Sequence, residues 1–183
     1  IAFENARLYE SELVRRENAE ILREATAALT SSVDLQELFQ IILESLKKLI
    51  PYDSASIELA HLDHYEIVAG SGISEDLIGK KYDSSIEKWG GEESMRRPLI
   101  IHDVHQDDRF EMFEGSEYIR GWMGIPLLTQ GRMIGLLNMD SRTPGFFTDE
   151  HAALGQTFGN QAAIAIEKAR LFHEQNRRSK IIG

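Results

Sequence analysis

No cysteine occurs among the 183 residues of this chain. That absence removes disulfides, zinc–thiolate sites, thiol nucleophiles and thiol redox chemistry together. It fits a cytoplasmic setting, which is the expected localisation. Long apolar runs are missing too. Nothing approaches the roughly 18 residues of a membrane-spanning helix. Any membrane anchor of a parent protein is therefore expected outside this segment. There is no secretory signal pattern and no initiator Met, so the chain is expected to be a piece of a longer protein. Positive charge is in deficit, with 20 basic against 30 acidic residues and a net charge of −10. Such a surface repels phosphate backbones, and no nucleic-acid partner is expected. The one basic cluster, Arg177, Arg178 and Lys180, reads as the solvated tail of a helix.

What is present is ordinary for a globular domain, with 42% apolar and 27% charged residues. Residues 1–31 predict a helix free of Gly and Pro. Ile1, Leu8, Leu22 and Leu29 fall on a seven-residue spacing interrupted by Arg15, the mark of a pairing helix rather than a buried one. Asp34 can cap a second helix, with Glu37 completing a capping box. Leu35, Leu38, Phe39, Ile42, Leu46 and Leu49 give that helix an apolar stripe, and Pro51 stops it.

Strand signals follow. Ala55, Ile57 and Leu59 alternate with Ser56 and Glu58, "HLDH" at 61–64 reads as a hairpin turn, and "YEIVAGSG" as the return strand. Residues 74–98 predict a loop with a short helix. "PLIIHDV" at 98–104 predicts a strand, and "DDRFEMFEGSEYI" a helical turn and loop. "GWMGIPLLTQGRMIGLLNMDS" predicts two strands around Gln130–Gly131. Thr148 can cap the last helix, with Asp149 and Glu150 in its first turn. Hairpins flanked by helices predict an α+β domain built on an antiparallel sheet.

Several residues have metal-ligand or catalytic types. His102, Asp103 and His105 offer two imidazoles and a carboxylate, which suit zinc or iron. Strand alternation sends His102 and Asp103 to opposite faces, so a solvent or pocket-rim place is the preferred reading. A metal-dependent enzyme using His102 and His105 stays as a distant alternative. His105 with Asp107 or Asp108 offers a hydrolase pair that nothing orients. His61 and His64 flank the predicted turn and read as exposed. No metal site is assigned.

Gly124 to Leu171, carrying "GIPLLTQGRMIGLLNMDS" and "GFFTDEHAALGQTFGNQAAIAIEKARLF", resembles the GAF family of sensory domains. "LIIHDVHQDDRF" resembles the family's middle strand and loop, and "SSVDLQELFQIILESLKKLI" its first helix. The pieces occur in order and span roughly residues 30–172. The resemblance implies a six-stranded antiparallel sheet with terminal helices on one face. A pocket on the other face would be covered by residues 74–120. It divides the chain into a connector helix over 1–31, a GAF-like domain over 32–172 and a linker extension over 173–183.

Candidate pocket residues are then Ser56, Trp89, His102, Asp103, Phe110, Phe113, Tyr118, Trp122 and Asn138. The aromatics among them can stack on a planar ligand or simply fill the cavity. The family includes a methionine sulfoxide reductase that works through cysteines, so that activity is excluded here. Covalent bilin attachment is excluded for the same reason. Asn138, Phe146 or Phe147, Asp149 and Glu150 match part of the family's cyclic-nucleotide motif. Its Lys is missing, because Met139 follows the Asn and the nearest cation is Arg142. A cyclic nucleotide is left open but not favoured, and the ligand stays unknown.

The expected function is a non-catalytic sensor module of a larger signalling protein, attached to an output domain. It would form a homodimer through its terminal helices at Leu8, Leu22, Leu29, Ala165, Ala169 and Phe172. The alternative is a ligand-free relay and dimerisation domain. The segment itself is expected to make no membrane contact.

One feature supports a repeated architecture. "IAFENARLYE" at 1–10 and "IAIEKARLFH" at 164–173 share six of ten positions. The alternative cause is convergence on good helix formers. Otherwise the first stretch is the tail of a preceding domain of the same kind, 163 residues upstream.

Overall fold

The computed structural model describes residues 1–83 and 89–182. Residues 84–88, part of the loop with a short helix expected over 74–98, lie outside the described residues. The elements run α1 (Ala2–Leu29), α2 (Leu35–Leu49), β1 (Ser54–Ala60), β2 (Tyr65–Ser71), β3 (Lys81–Tyr82), β4 (Leu99–Ile101), β5 (Gly121–Thr129), β6 (Arg132–Ser141) and α3 (Asp149–Ile182). The six strands form one sheet in the order β3-β2-β1-β6-β5-β4, antiparallel at every pairing.

Local chemistry sets the element ends. The Asp34 carboxylate accepts from the Glu37 amide at 2.9 Å and caps α2. Glu37 completes this cap by a different route than a standard box: its carboxylate accepts from the Ser32 hydroxyl at 2.5 Å. Gln130 and Gly131, both at positive φ, turn β5 into β6. The Thr148 hydroxyl accepts from the His151 amide at 3.3 Å, and His151 Nδ1 accepts from the Thr148 amide at 3.2 Å. Histidine here plays the reciprocal part that Glu plays in a capping box.

The helices cover one sheet face. Leu38, Ile42, Leu46, Phe158, Ala162 and Ile166 pack on Ile57, Met123, Ile125, Leu137 and Met139. Gly155 and Gly159 let α3 approach β5 closely, since a Cβ at either would stand 2.9 Å from Ile125. Burying these side chains drives the fold, at roughly 1.5–3 kcal/mol for each large apolar side chain.

Three expectations need correction. The end of α1 is not a free pairing helix: Ala25 and Leu29 are buried in the core, with Ile21 and Leu22 packed against them. The reason is local spacing, because Ala25 and Leu29 lie one turn apart on the side facing the other helices. The strand expected over 98–104 stops at Ile101. There the Asp103 side chain accepts from the His105 amide and turns the backbone into a 3-10 turn over 104–106. The helical turn expected in the stretch after it is confined to isolated turns. The two-residue strand β3 was not anticipated.

Candidate functional site

Strand alternation builds the other face. Ser54, Ser56 and Glu58 on β1 point away from the helices, because Ala55, Ile57 and Leu59 point into them. Register places Ser54 opposite Asp140, Ser56 opposite Asn138 and Glu58 opposite Leu136. On β5, Trp122 faces Asp140, Gly124 faces Asn138 and Pro126 faces Leu136. A bulge between Ile57 and Glu58 shifts the β2 register. Ile67 thereby joins this face while Ala69 joins the helix side.

Above this floor lies a cavity of about 450 Å³. The volume falls within the range of small-molecule sites, roughly 300–1,000 Å³. Its aromatic wall is Trp89, Trp122 and Phe110. Trp89 and Trp122 sit 5.2 Å apart, and Phe110 meets Trp122 edge-on at 6.4 Å. Gly124 makes room for this wall. A Cβ there would stand 2.5 Å from the Trp122 ring, so the indole can lie flat on the sheet only over glycine.

Two carboxylates define the floor. Asp140 is buried, and burial pushes its pKa up to about 7. The Ser54 hydrogen bond pulls the other way, while the charges of Glu58 and Asp53 add to the rise. Burial also raises the pKa of Glu58, against the favourable influence of Tyr82 and Asn138. Glu58 still meets solvent through the cavity, so both desolvation and reach to a ligand apply to it. The Tyr82 hydroxyl is held protonated by burial and by the Glu58 charge. Ser54 donates to Asp140 at 2.7 Å and lies 2.5 Å from the Tyr118 hydroxyl, whose ring sits under the Arg142 guanidinium. Asn138 donates to Ser56 at 3.3 Å.

The cations enter from elsewhere. Lys80, Arg97 and Arg109 line the cavity from the covering segments. Arg109 is already held by a two-point ion pair to Asp107, at 2.8 and 2.5 Å. That pair also occupies the Asp107 carboxylate considered for a hydrolase with His105.

Of the nine expected pocket residues, Ser56, Trp89, Phe110, Phe113, Trp122 and Asn138 line the cavity. His102, Asp103 and Tyr118 are not among its described lining residues. His102 is exposed beyond the end of β4, and Asp103 forms a two-point pair with Arg120 at 3.2 and 2.7 Å. Tyr118 reaches the site through Ser54. Sequence reasoning missed Glu58 and Asp140. The signal for Glu58 was its alternation with Ile57, which put it beside Ser56. Asp140 falls two residues after Asn138, on the same face.

Of the helix residues expected at a dimer contact, Leu29 and Ala169 are buried in the chain's own core, and Leu22 and Ala165 pack against it. Leu8 and Phe172 face outward, 64% and 43% exposed. Among the described residues, no helix is long and apolar enough to cross a membrane.

Comparison with known proteins agrees with this geometry. The family model of the GAF domain matches residues 34–166. The anaerobic nitric oxide reductase transcription regulator NorR of Vibrio vulnificus is 23% identical over 131 residues, 67% of this chain but 25% of the regulator. The chain thus spans about a quarter of the length of that curated relative. The GAF domain of a phosphoenolpyruvate-protein phosphotransferase from Coxiella burnetii superposes with a TM-score of 0.76. It is 22% identical, with 87% of this chain and 98% of that one covered. Free methionine-R-sulfoxide reductase from Neisseria meningitidis, in complex with its substrate, superposes with a TM-score of 0.69. There the identity is 17%, over 84% of this chain and 90% of that one. At these identities the two structural likenesses speak for the fold alone.

Proposed function

This chain belongs to the GAF domain family, and on that footing we propose that it is a non-catalytic sensor module of a larger signalling protein. Its cavity takes a small organic molecule with a flat apolar body and a protonated amine or several N–H donors. The body stacks on Trp89 and Trp122. The donors face Glu58, Asp140 and Asn138. The observation that carries this reading is the pair of carboxylates on the floor of an aromatic-walled cavity. A cation there relieves the like-charge strain between them and offsets their desolvation. A phosphate on that floor would meet two acids, so the floor itself disfavours one, whereas Lys80 and Arg97 line the cavity away from the floor.

Asp140 adds adaptability. With its pKa pushed up to about 7 by burial, it exchanges its proton near neutral pH, so it can donate to or accept from a ligand. Thiol redox chemistry is unavailable to a chain without cysteine. The cavity lining of carboxylates, an amide and aromatics, with Lys80, Arg97 and Arg109, offers both polar and stacking contacts to a bound molecule.

Relay goes through α1 and α3. Trp122 on β5 touches the ligand space, and Ile125 on the same strand packs under Gly155 and Gly159 of α3. A shift at the cavity therefore reaches α3 through one strand. The exposed Leu8, Tyr9, Leu171 and Phe172 then supply apolar contacts for a homodimer. The repeated phrase fits a tandem arrangement. Ile166 and Ala169 are buried in the domain, whereas their counterparts Phe3 and Ala6 are exposed on α1. Those two would pack in the core of a preceding domain.

The test is a thermal-shift panel in two groups. Tryptamine, histamine and adenine represent N–H donors; cyclic AMP and cyclic GMP represent phosphates. A rise in melting temperature confined to the first group supports the reading. A rise only with the phosphates overturns it, and no rise in a verified ligand-free sample favours a ligand-free relay.

A further inference from the structure

The geometry points to a second site, a zinc-class metal centre on the hairpin joining β1 to β2, formed by His61, His64 and Glu66. It is separate from the cavity. Tyr65 and Ile67 line the cavity, so Glu66 between them stands on the opposite side of the sheet. Its ladder partner Leu59 is buried on that side.

The turn assembles the ligands. The His61 amide donates to the His64 carbonyl at 2.8 Å and closes the hairpin. Closure stacks the two imidazoles, with centroids 4.6 Å apart and planes 9° from parallel. His61 Nε2 lies 3.5 Å from Glu66 Oε2. One donor atom from each of the three residues falls within 4.8 Å of the others. Zinc bound at about 2.0–2.2 Å holds tetrahedral neighbours roughly 3.4 Å apart. The His61–Glu66 pair already has that spacing; because the stacked rings hold their in-plane lone pairs in separate planes, an imidazole must turn out of the stack for His64 to join.

His64 carries two independent signs. Its Nδ1 sits 2.7 Å from Asp63 Oδ1. Donating there places the proton on Nδ1 and the lone pair on Nε2. That Nε2 is buried and has no hydrogen-bond partner among the described residues. A buried polar nitrogen without a partner is destabilising. A carboxylate bound to the far nitrogen is the arrangement that orients a metal-ligating histidine. Two imidazoles and one carboxylate favour zinc, nickel or copper over magnesium, and leave a coordination position for water. Lys81 stands opposite Glu66 in the β2–β3 register.

The test is competition for zinc against a chromophoric chelator, using the whole chain near neutral pH, with magnesium as the control. One zinc per chain is expected, with no response to magnesium. The His61→Gln/His64→Gln variant should bind at least about ten-fold more weakly. Failure to take zinc from the chelator, or unchanged binding in the variant, overturns the site. If the variant does not fold, nitrogen NMR of the unsubstituted chain decides. Zinc should move the imidazole signals of His61 and His64 first. Movement at His102, His105, His151 or His173 in their place contradicts the proposal.

Discussion

Ser54 and Asp140 face each other across the β1–β6 ladder and share a buried hydrogen bond of 2.7 Å. Because Ser54 donates to Asp140, the Tyr118 hydroxyl at 2.5 Å donates to Ser54. The three groups form a directed chain, Tyr118 to Ser54 to Asp140, which ends at the cavity floor. The chain lowers the pKa of Asp140 but does not outweigh burial, so the group still titrates at about 7.

A pH dependence of stability follows. Asp140 and Glu58 both have folded pKa values above their unfolded ones. Between about pH 4 and 7 the folded chain therefore holds protons that the unfolded chain has released. Their stabilising contribution is complete below the unfolded value and is lost as pH rises through the folded one. These two carboxyls should make the denaturant midpoint of the unliganded protein lower near pH 8 than near pH 5, against an opposite contribution from His151, whose pKa burial lowers. Asp140→Asn should flatten that slope, by at most about 1.4 kcal/mol per pH unit. An unchanged slope in the variant removes Asp140 as its source.

Gly124→Val tests the aromatic wall. The new Cβ would stand 2.5 Å from the Trp122 ring and force it off the sheet. The expected effect is about 1–3 kcal/mol of destabilisation in chemical denaturation. Tryptophan fluorescence should change with it, since Trp89 and Trp122 are in contact. A variant with native stability and emission would mean that the indole does not lie over Gly124.

Phe158→Ala tests the helix layer. Phe158 is fully buried between α3 and the sheet. Removing it should destabilise by about 3–5 kcal/mol in equilibrium unfolding. A loss under 1 kcal/mol, on the order of a surface substitution, would place α3 elsewhere.

The helix contact is tested by Leu8→Glu with Phe172→Glu. Both residues are exposed, so the variant should keep its fold and lose only the stability that dimerisation adds. Sedimentation should show a dimer for the unsubstituted chain and a monomer for the variant. A monomer over the full concentration range in the unsubstituted chain argues against the homodimer.

Much of the fold was legible because its signals are local. The Asp34 cap, the apolar stripe of α2 and the Gln130–Gly131 turn each lie within a few residues. β3 escaped because two residues carry no periodicity; its pairing to β2 is set by the tertiary fold. The end of α1 was misread because a heptad spacing does not say which partner covers it. At the cavity the aromatics were visible as residue types. Glu58 and Asp140 were not, since their importance comes from facing one cavity across neighbouring strands. His61 is exposed as read, whereas His64 is half-buried because hairpin closure stacks it on His61.

The central claim is that Glu58 and Asp140 recognise an N–H donor or cation in the cavity. Calorimetric titration of tryptamine into the unsubstituted chain and into Glu58→Gln/Asp140→Asn tests it most directly. The account predicts binding that is weakened at least about ten-fold in the variant, a loss of about 1.4 kcal/mol. Equal affinity in the two proteins, or binding of cyclic AMP but not tryptamine, would contradict it.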